Sequence, residues 1–259
     1  MISKELENVK TWFNNYIKTF TPSDIQSYHM IQLKVEHSIN VAVNSRTLAE
    51  ELQWSKKDVF TAEILGLLHD IGRFSQFSEY GTFTDSNSIN HAERGYDVVS
   101  QSNILSSLSP IYQQSILDGI LFHNCREIPQ NVPPESLPFV KLVRDADKLD
   151  IFRVVSESMK DRKLIEYINS AMNLNSNGSI NHRALDEIRS KKIVSNINLK
   201  SEADFHLMRL SWVFDINYSA TFKHISDRKI LEQIIHELPD DDEIQAVSNF
   251  ILKYLKDHV

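Results

Sequence analysis

The sequence predicts an all-α protein, and three observations carry that expectation. Its 259 residues include only six Gly and seven Pro, too few turn formers for a fold of many short strands. Apolar residues recur three and four positions apart along most of the chain, and no strand-length alternation interrupts them. Residues that start helices, Ser or Asn ahead of an apolar stripe, recur before those stretches.

The hydrophobic content of 41% is enough to bury a full core. A net charge of −7 and a pI near 5.8 disfavour a general polyanion-binding surface, so no nucleic-acid partner is expected. A local basic pocket for a small phosphorylated ligand stays compatible with that balance. The first residues, Met1 to Glu7, lack a basic stretch followed by an apolar one, and no apolar run approaches the roughly 20 residues that span a bilayer. The expectation is a soluble, cytoplasmic protein with no membrane partner. The lone Cys125 has no partner for an internal disulfide, which fits a reducing compartment.

Taken in order, an amphipathic helix runs through Val9, Trp12, Phe13, Tyr16 and Ile17 and stops near Phe20-Thr21-Pro22. Ser23 is the expected N-cap of a second helix, in which Met30, Leu33, His37, Val41 and Leu48 share one face. His37 is therefore placed to look inward. Ser55 opens a third helix through Val59, Ala62, Ile64, Leu65 and Leu68, with Gly72 as its terminator. Ser75 to Ser88 reads as a loop long enough to carry function. Asn90 and Glu93 have capping-box spacing, so a helix begins at His91. The next helix starts near Pro110 and reaches His123 near its end. A Pro-rich loop leads to a helix from Pro138 to about Lys160, followed by a helix around Ile165 to Met172, a polar turn from Asn173 to Ser179, which includes the sequon Asn177-Gly178-Ser179, and further helices.

The chemistry concentrates where the third helix ends, at Leu67-Leu68-His69-Asp70-Ile71-Gly72-Arg73. An ionised carboxylate at the edge of so apolar a segment is costly unless a cation or hydrogen-bond donors compensate it. Further along, Val140, Val143, Asp147, Ile151 and Val154 fall three or four apart, which makes Asp147 the single charge on an apolar stripe. Asp145, between Lys141 and Lys148, reads as an ion-paired or supporting carboxylate at surface spacing. Taken singly, an inward histidine is more often a hydrogen-bonded core residue than a ligand. His37, His69, Asp70 and Asp147 lie on three inward-facing helices, and it is the set that points to a metal.

His37, then His69-Asp70, then Asp147 within Ala146-Asp147-Lys148-Leu149-Asp150, resembles the H…HD…D signature of the HD-domain metal-dependent phosphohydrolase superfamily, over roughly Ser23 to Ser158. The resemblance implies an HD-domain helical bundle holding a divalent metal through those four residues. Two imidazoles and two carboxylates suit manganese, iron, nickel or zinc better than calcium, and magnesium is also compatible. His91, in His91-Ala92-Glu93-Arg94-Gly95, and His123, in Phe122-His123-Asn124, are similar in order to the histidines that bind a second metal in binuclear members, which implies two ions per chain. The Gly-Tyr-Pro motif of the cyclic-di-nucleotide phosphodiesterases is absent, and Arg73 stands where those enzymes carry lysine. Nor does Ile71-Gly72-Arg73-Phe74 resemble the Glu-Asp pair of the alarmone hydrolases.

The expected activity is cleavage of a phosphate ester of a nucleotide or another small phosphorylated molecule by metal-activated water, and the alternative is a non-catalytic metal- or nucleotide-sensing module. Asp70 would orient the water, while Arg73 and Lys148 neutralise phosphate. Asn124 and Arg144 complete the expected substrate contacts, with Arg73 and Lys148. The expected organisation is residues 1–160 as the HD bundle with its N-terminal helix and 161–259 as a helical extension on the same core. Phe205, Leu207, Leu210, Trp212, Val213 and Phe222 supply the apolar residues of that extension. The sequence leaves open whether the extension covers the site or pairs two copies in a homodimer.

Overall fold

The computed structural model describes residues 2–20, 22, 24–158, 174–175 and 179–259. All regular structure among these residues is helical, apart from one isolated bridge between Asn175 and Ser201. The chain divides into two compact units, Met1–Asp150 and Ile151–Val259. Ser23, the expected helix at Ile165 to Met172 and most of the turn from Asn173 to Ser179 lie outside the described residues.

The first unit is built around α3 (Lys56–Leu68). Phe60, Ala62, Ile64, Leu65, Leu67 and Leu68 are all buried, and a helix apolar on every side has to be central because it has no face to give to water. Against it pack α1 (Ile2–Lys18), α2 (Ile25–Glu51) and α6 (Pro110–Phe122). The α2–α3 crossing is close enough to need glycine: a Cβ on Gly66 would lie 2.6 Å from Ser45 Oγ and 2.7 Å from Val41 O. Beyond α3, α4 (Gly72–Tyr80) packs on α2 and on α5 (His91–Gln101), which in turn packs on α6. α7 (Leu137–Ser158) follows the Pro-rich loop, with Phe139 meeting the rings of Trp54 and Tyr112 and Asn44 of α2 donating to Ala146 O.

The caps explain where these helices begin. Ser55 accepts from Asp58 N and opens α3 as expected, a contact worth about 1 kcal/mol. Asn90 accepts from Ala92 N and Glu93 N, which fixes His91 as the first residue of α5. For α2 the cap is Asp24, whose carboxylate accepts from Ser27 N at 2.8 Å.

Two expectations are corrected here. Gly72 does not terminate α3 but opens α4, and the glycine is required by contact: a Cβ there would lie 2.2 Å from His91 O and 2.6 Å from Gly95 N. Ser75 to Ser88 is not one loop, because α4 continues to Tyr80 and stops at Gly81, which takes the left-handed conformation at φ 66°. The connection is the shorter stretch from Gly81 to Asn90, with a single 3-10 turn at Asp85–Asn87.

The second unit contains the helices His182–Arg189, Glu202–Ser211, Ser219–Asp227, Ile230–His236 and Asp242–His258. Its core includes Leu185, Ile188, Leu207, Leu210, Val213, Phe222, Ile234 and Ile251. Ser201 and Asp204 form a full capping box at the start of Glu202–Ser211. No helix among the described residues is long and apolar enough to cross a membrane.

Candidate metal centre

Separate segments of the first unit deliver imidazoles and carboxylates to one buried place. α2 carries His37, and the end of α3 carries His69 and Asp70. His91 is the first residue of α5, His123 caps the end of α6, and α7 carries Asp147 and Asp150. His37, His69, Asp70, His91 and His123 are all at least nine-tenths buried.

Asp70 sits between two pairs of histidines and turns one oxygen to each. Its Oδ2 lies 3.6 Å from His37 Nε2 and 3.8 Å from His69 Nε2. Its Oδ1 lies 3.2 Å from His91 Nε2 and 3.6 Å from His123 Nε2. Asp147 Oδ1 joins the first pair, at 3.1 Å from His37 Nε2 and 3.7 Å from His69 Nε2. In the second pair the two Nε2 atoms are 3.1 Å apart. The ligand atoms of His37, His69 and Asp70, and likewise those of Asp70, His91 and His123, lie within 4.8 Å of one another, as a metal ion needs.

The other ring nitrogen of every histidine is already engaged. His69 Nδ1 lies 2.8 Å from Gly66 O and His123 Nδ1 2.7 Å from Ile120 O. A carbonyl only accepts, so these two Nδ1 atoms carry protons, and in the neutral rings Nε2 presents a lone pair. His37 Nδ1 pairs with Asp150 Oδ2 and His91 Nδ1 with Asp85 Oδ2, both at 2.7 Å. Each pair of histidines thus has one ring backed by a carboxylate and one backed by a main-chain carbonyl. Nε2 of His37 and of His69 is buried and makes no hydrogen bond. A buried lone pair aimed at a carboxylate is repulsive as it stands, and a divalent cation between them removes the conflict, so the donor set fits a metal.

The electrostatics agree. Burial pushes the Asp70 carboxyl up, but Lys34, His69, Arg73 and His123 together outweigh it and hold Asp70 well below the usual carboxylate range. Lys34 supplies the nearest of these charges, with Nζ 2.7 Å from Asp70 Oδ2. Asp147, also opposed by burial, is held well below that range by His37 and His69. Burial pushes His123 down to about 4, which leaves its ring neutral and able to ligate. His37 is opposed by burial and Lys34 yet stands above its ordinary value because Asp147 and Asp150 draw the proton.

The remaining expected residues are placed as follows. Arg73 has Nε 3.4 Å from Asp70 Oδ1, while Nη1 donates to Phe83 O and, at 2.8 Å, to Asp85 Oδ1. It therefore ties the Gly81–Asn90 connection to the site. Asn124 is exposed and donates to Asn90 Oδ1 at 2.9 Å. Lys148 Nζ donates to Arg144 O at 3.3 Å. Arg144 departs from the expected substrate role: it is 3% exposed, and its Nη1 donates to His123 O at 2.9 Å and Cys125 O at 2.5 Å. A guanidinium used in this way fixes the turn that carries His123. Asp145 is corrected too. Leu142 to Ala146 are all buried, so α7 has no solvent face at Asp145, and the residue is not at the surface as expected.

Sequence reasoning missed three residues. Asp150 lies three after Asp147 on the same helical face, and Lys34 three before His37, so helical spacing contained both signals. Asp85 sits on the connection, where no periodicity points to it. Burial opposes Asp85, but His91 and Arg73 lower its carboxyl to about 2.

Fold and site together define an all-α protein with a buried histidine–aspartate centre fit for divalent metal. Residues 35–151 match the family model of the HD domain, and the chain carries that domain. HD domains belong to a superfamily that includes metal-dependent phosphohydrolases. No curated protein and no solved structure matches the chain.

Proposed function

We propose that this protein is a metal-dependent phosphohydrolase that cleaves a phosphate ester of a small phosphorylated molecule, a nucleotide included, at a binuclear centre. The observation that carries the reading is Asp70, whose two oxygens each face one pair of imidazoles. His37, His69, Asp70 and Asp147 would hold one ion and Asp70, His91 and His123 the other. Manganese, iron, nickel or zinc suit this nitrogen and oxygen set. Ions bound there lower the pKa of water to near neutrality and polarise a phosphoryl oxygen.

The residues of the chain supply the rest. Asp150 and Asp85 orient His37 and His91 from behind, and Gly66 O and Ile120 O do the same for His69 and His123. Asp70 would orient the attacking water. Lys34 and Arg73, the cations beside Asp70, neutralise the phosphate as its charge shifts toward the leaving oxygen. Lys148 and Asn124 complete the substrate contacts in this reading. A cytoplasmic location fits the lone thiol and acidic charge, and the C-terminal helices are available for homodimer contacts.

The test is hydrolysis of p-nitrophenyl phosphate and bis-p-nitrophenyl phosphate by protein reconstituted with each metal in turn and by the same protein after chelation. Turnover that needs metal and is lost in Asp70→Asn is expected. Tight metal binding with no turnover on any phosphate ester would instead favour a sensing module.

A further inference from the structure

A second cluster, in the other unit, is chemically unlike the metal centre. Arg209 lies near the end of the helix Glu202–Ser211 and is 7% exposed, and its Nε is buried without a hydrogen bond. Among the described residues no carboxylate forms an ion pair with its guanidinium. Instead the guanidinium carbon sits 3.9 Å above the ring of Phe205, one turn earlier. His206, 4% exposed, also has a buried Nδ1 without a hydrogen bond. The acid in contact with this cluster, Glu202, approaches His206 Nε2 at 3.9 Å and acts on Arg209 as a nearby negative charge.

Burying the Nε of a guanidinium without a hydrogen bond is costly, even with an aromatic ring beneath the cation. A neighbouring imidazole with an orphaned nitrogen adds to the cost. Both costs are offset if an anion binds within reach of the two side chains. Stacking on Phe205 fixes the plane of the guanidinium, and a fixed planar fork matches two oxygens of one tetrahedral oxyanion better than a halide or a single carboxylate oxygen. Burial pushes Arg209 down to about 10, so it keeps its charge at neutral pH.

We propose that Arg209 and His206, with Phe205 as the platform, form a binding site for a phosphate group, in which the guanidinium grips two phosphate oxygens and His206 Nδ1–H donates to a third. The site stands independently of the metal centre and of the hydrolase reading.

Thermal unfolding of the full chain, titrated with inorganic phosphate against matched chloride, tests it. Saturable stabilisation by phosphate is expected in the natural protein and, because the site does not use the metal, equally in Asp70→Asn. Introduced into Asp70→Asn, Arg209→Met should abolish the stabilisation and should raise the melting temperature in phosphate-free buffer, since it removes a buried cation whose Nε has no hydrogen bond. If that variant does not fold, Arg209→Lys serves: it keeps the charge, loses the fork, and should weaken phosphate about tenfold. A full phosphate effect in either Arg209 variant, its loss in Asp70→Asn, or no effect in the natural protein would overturn the proposal.

Discussion

Asp150 Oδ2 lies 2.7 Å from Nδ1 of His37, with Asp147, one turn earlier on the same helix, facing the opposite edge of the ring. One helix therefore supplies both carboxylates that face the His37 ring, one at each nitrogen. The first prediction follows from that division of labour. Asp150→Asn should leave Asp147 in place but slacken the imidazole, weakening metal about 10- to 100-fold. Competition against a chromophoric chelator measures it, and unchanged affinity would reduce Asp150 to a packing residue.

Asp147→Asn should lose the first metal altogether. Asp145→Asn should keep it and show its effect in thermal stability, because Asp145 is fully buried. Metal analysis and melting curves on the two variants separate these outcomes. Metal loss from Asp145→Asn with retention in Asp147→Asn would reverse the roles assigned to α7.

Metal count follows from the two faces of Asp70. Elemental analysis after saturating reconstitution should find two ions per chain in the natural protein and about one in His91→Ala and in His123→Ala. Asp85 backs His91 from the connection and is a third exposed, whereas Asp150 is 1% exposed, so the ion at the His91 side should be the first to leave on dilution. A single ion throughout, untouched by either histidine change, would remove both rings from the metal set.

The fourth prediction concerns pH and lies away from the metal. Burial, reinforced by Arg209, pushes His206 from 6.5 down to about 4, with Glu202 the acid near its other nitrogen. The unfolded ring takes up its proton near 6.5 and the folded ring only near 4, so its contribution is complete above 6.5 and is lost as pH falls between those values. Full loss corresponds to about 3 kcal/mol, at 1.36 kcal/mol per pKa unit. Urea titrations in phosphate-free buffer at several pH values should show the slope flattened in His206→Asn, and a slope unaffected by the substitution would assign the acid sensitivity elsewhere.

The all-helical fold and the inward set of His37, His69, Asp70 and Asp147 were legible because helical spacing puts ligands and core residues on the same stripes. Residues beyond that periodicity were not. Asp145 was misread because a stripe argument assumes one wet side, and Leu142 to Ala146 leave α7 none there. Arg144 was misread because charge suggests substrate, while its burial commits it to the main chain around His123. Asp85 had no signal at all, since a connection is positioned by what it touches, here Arg73, Gln76 and His91.

Gly72 sets the spacing between the Asp70 and His91 segments by backbone contact. It follows Asp70 by two residues, and its backbone lies against His91 O and Gly95 N with no room for a methyl group. The gap between the segment carrying Asp70 and the segment carrying His91 is thus one main chain thick. A spacer made of main chain has no side chain to trim or enlarge, so drift in the surrounding core can reshape the bundle while the interval between the Asp70 and His91 segments stays the same.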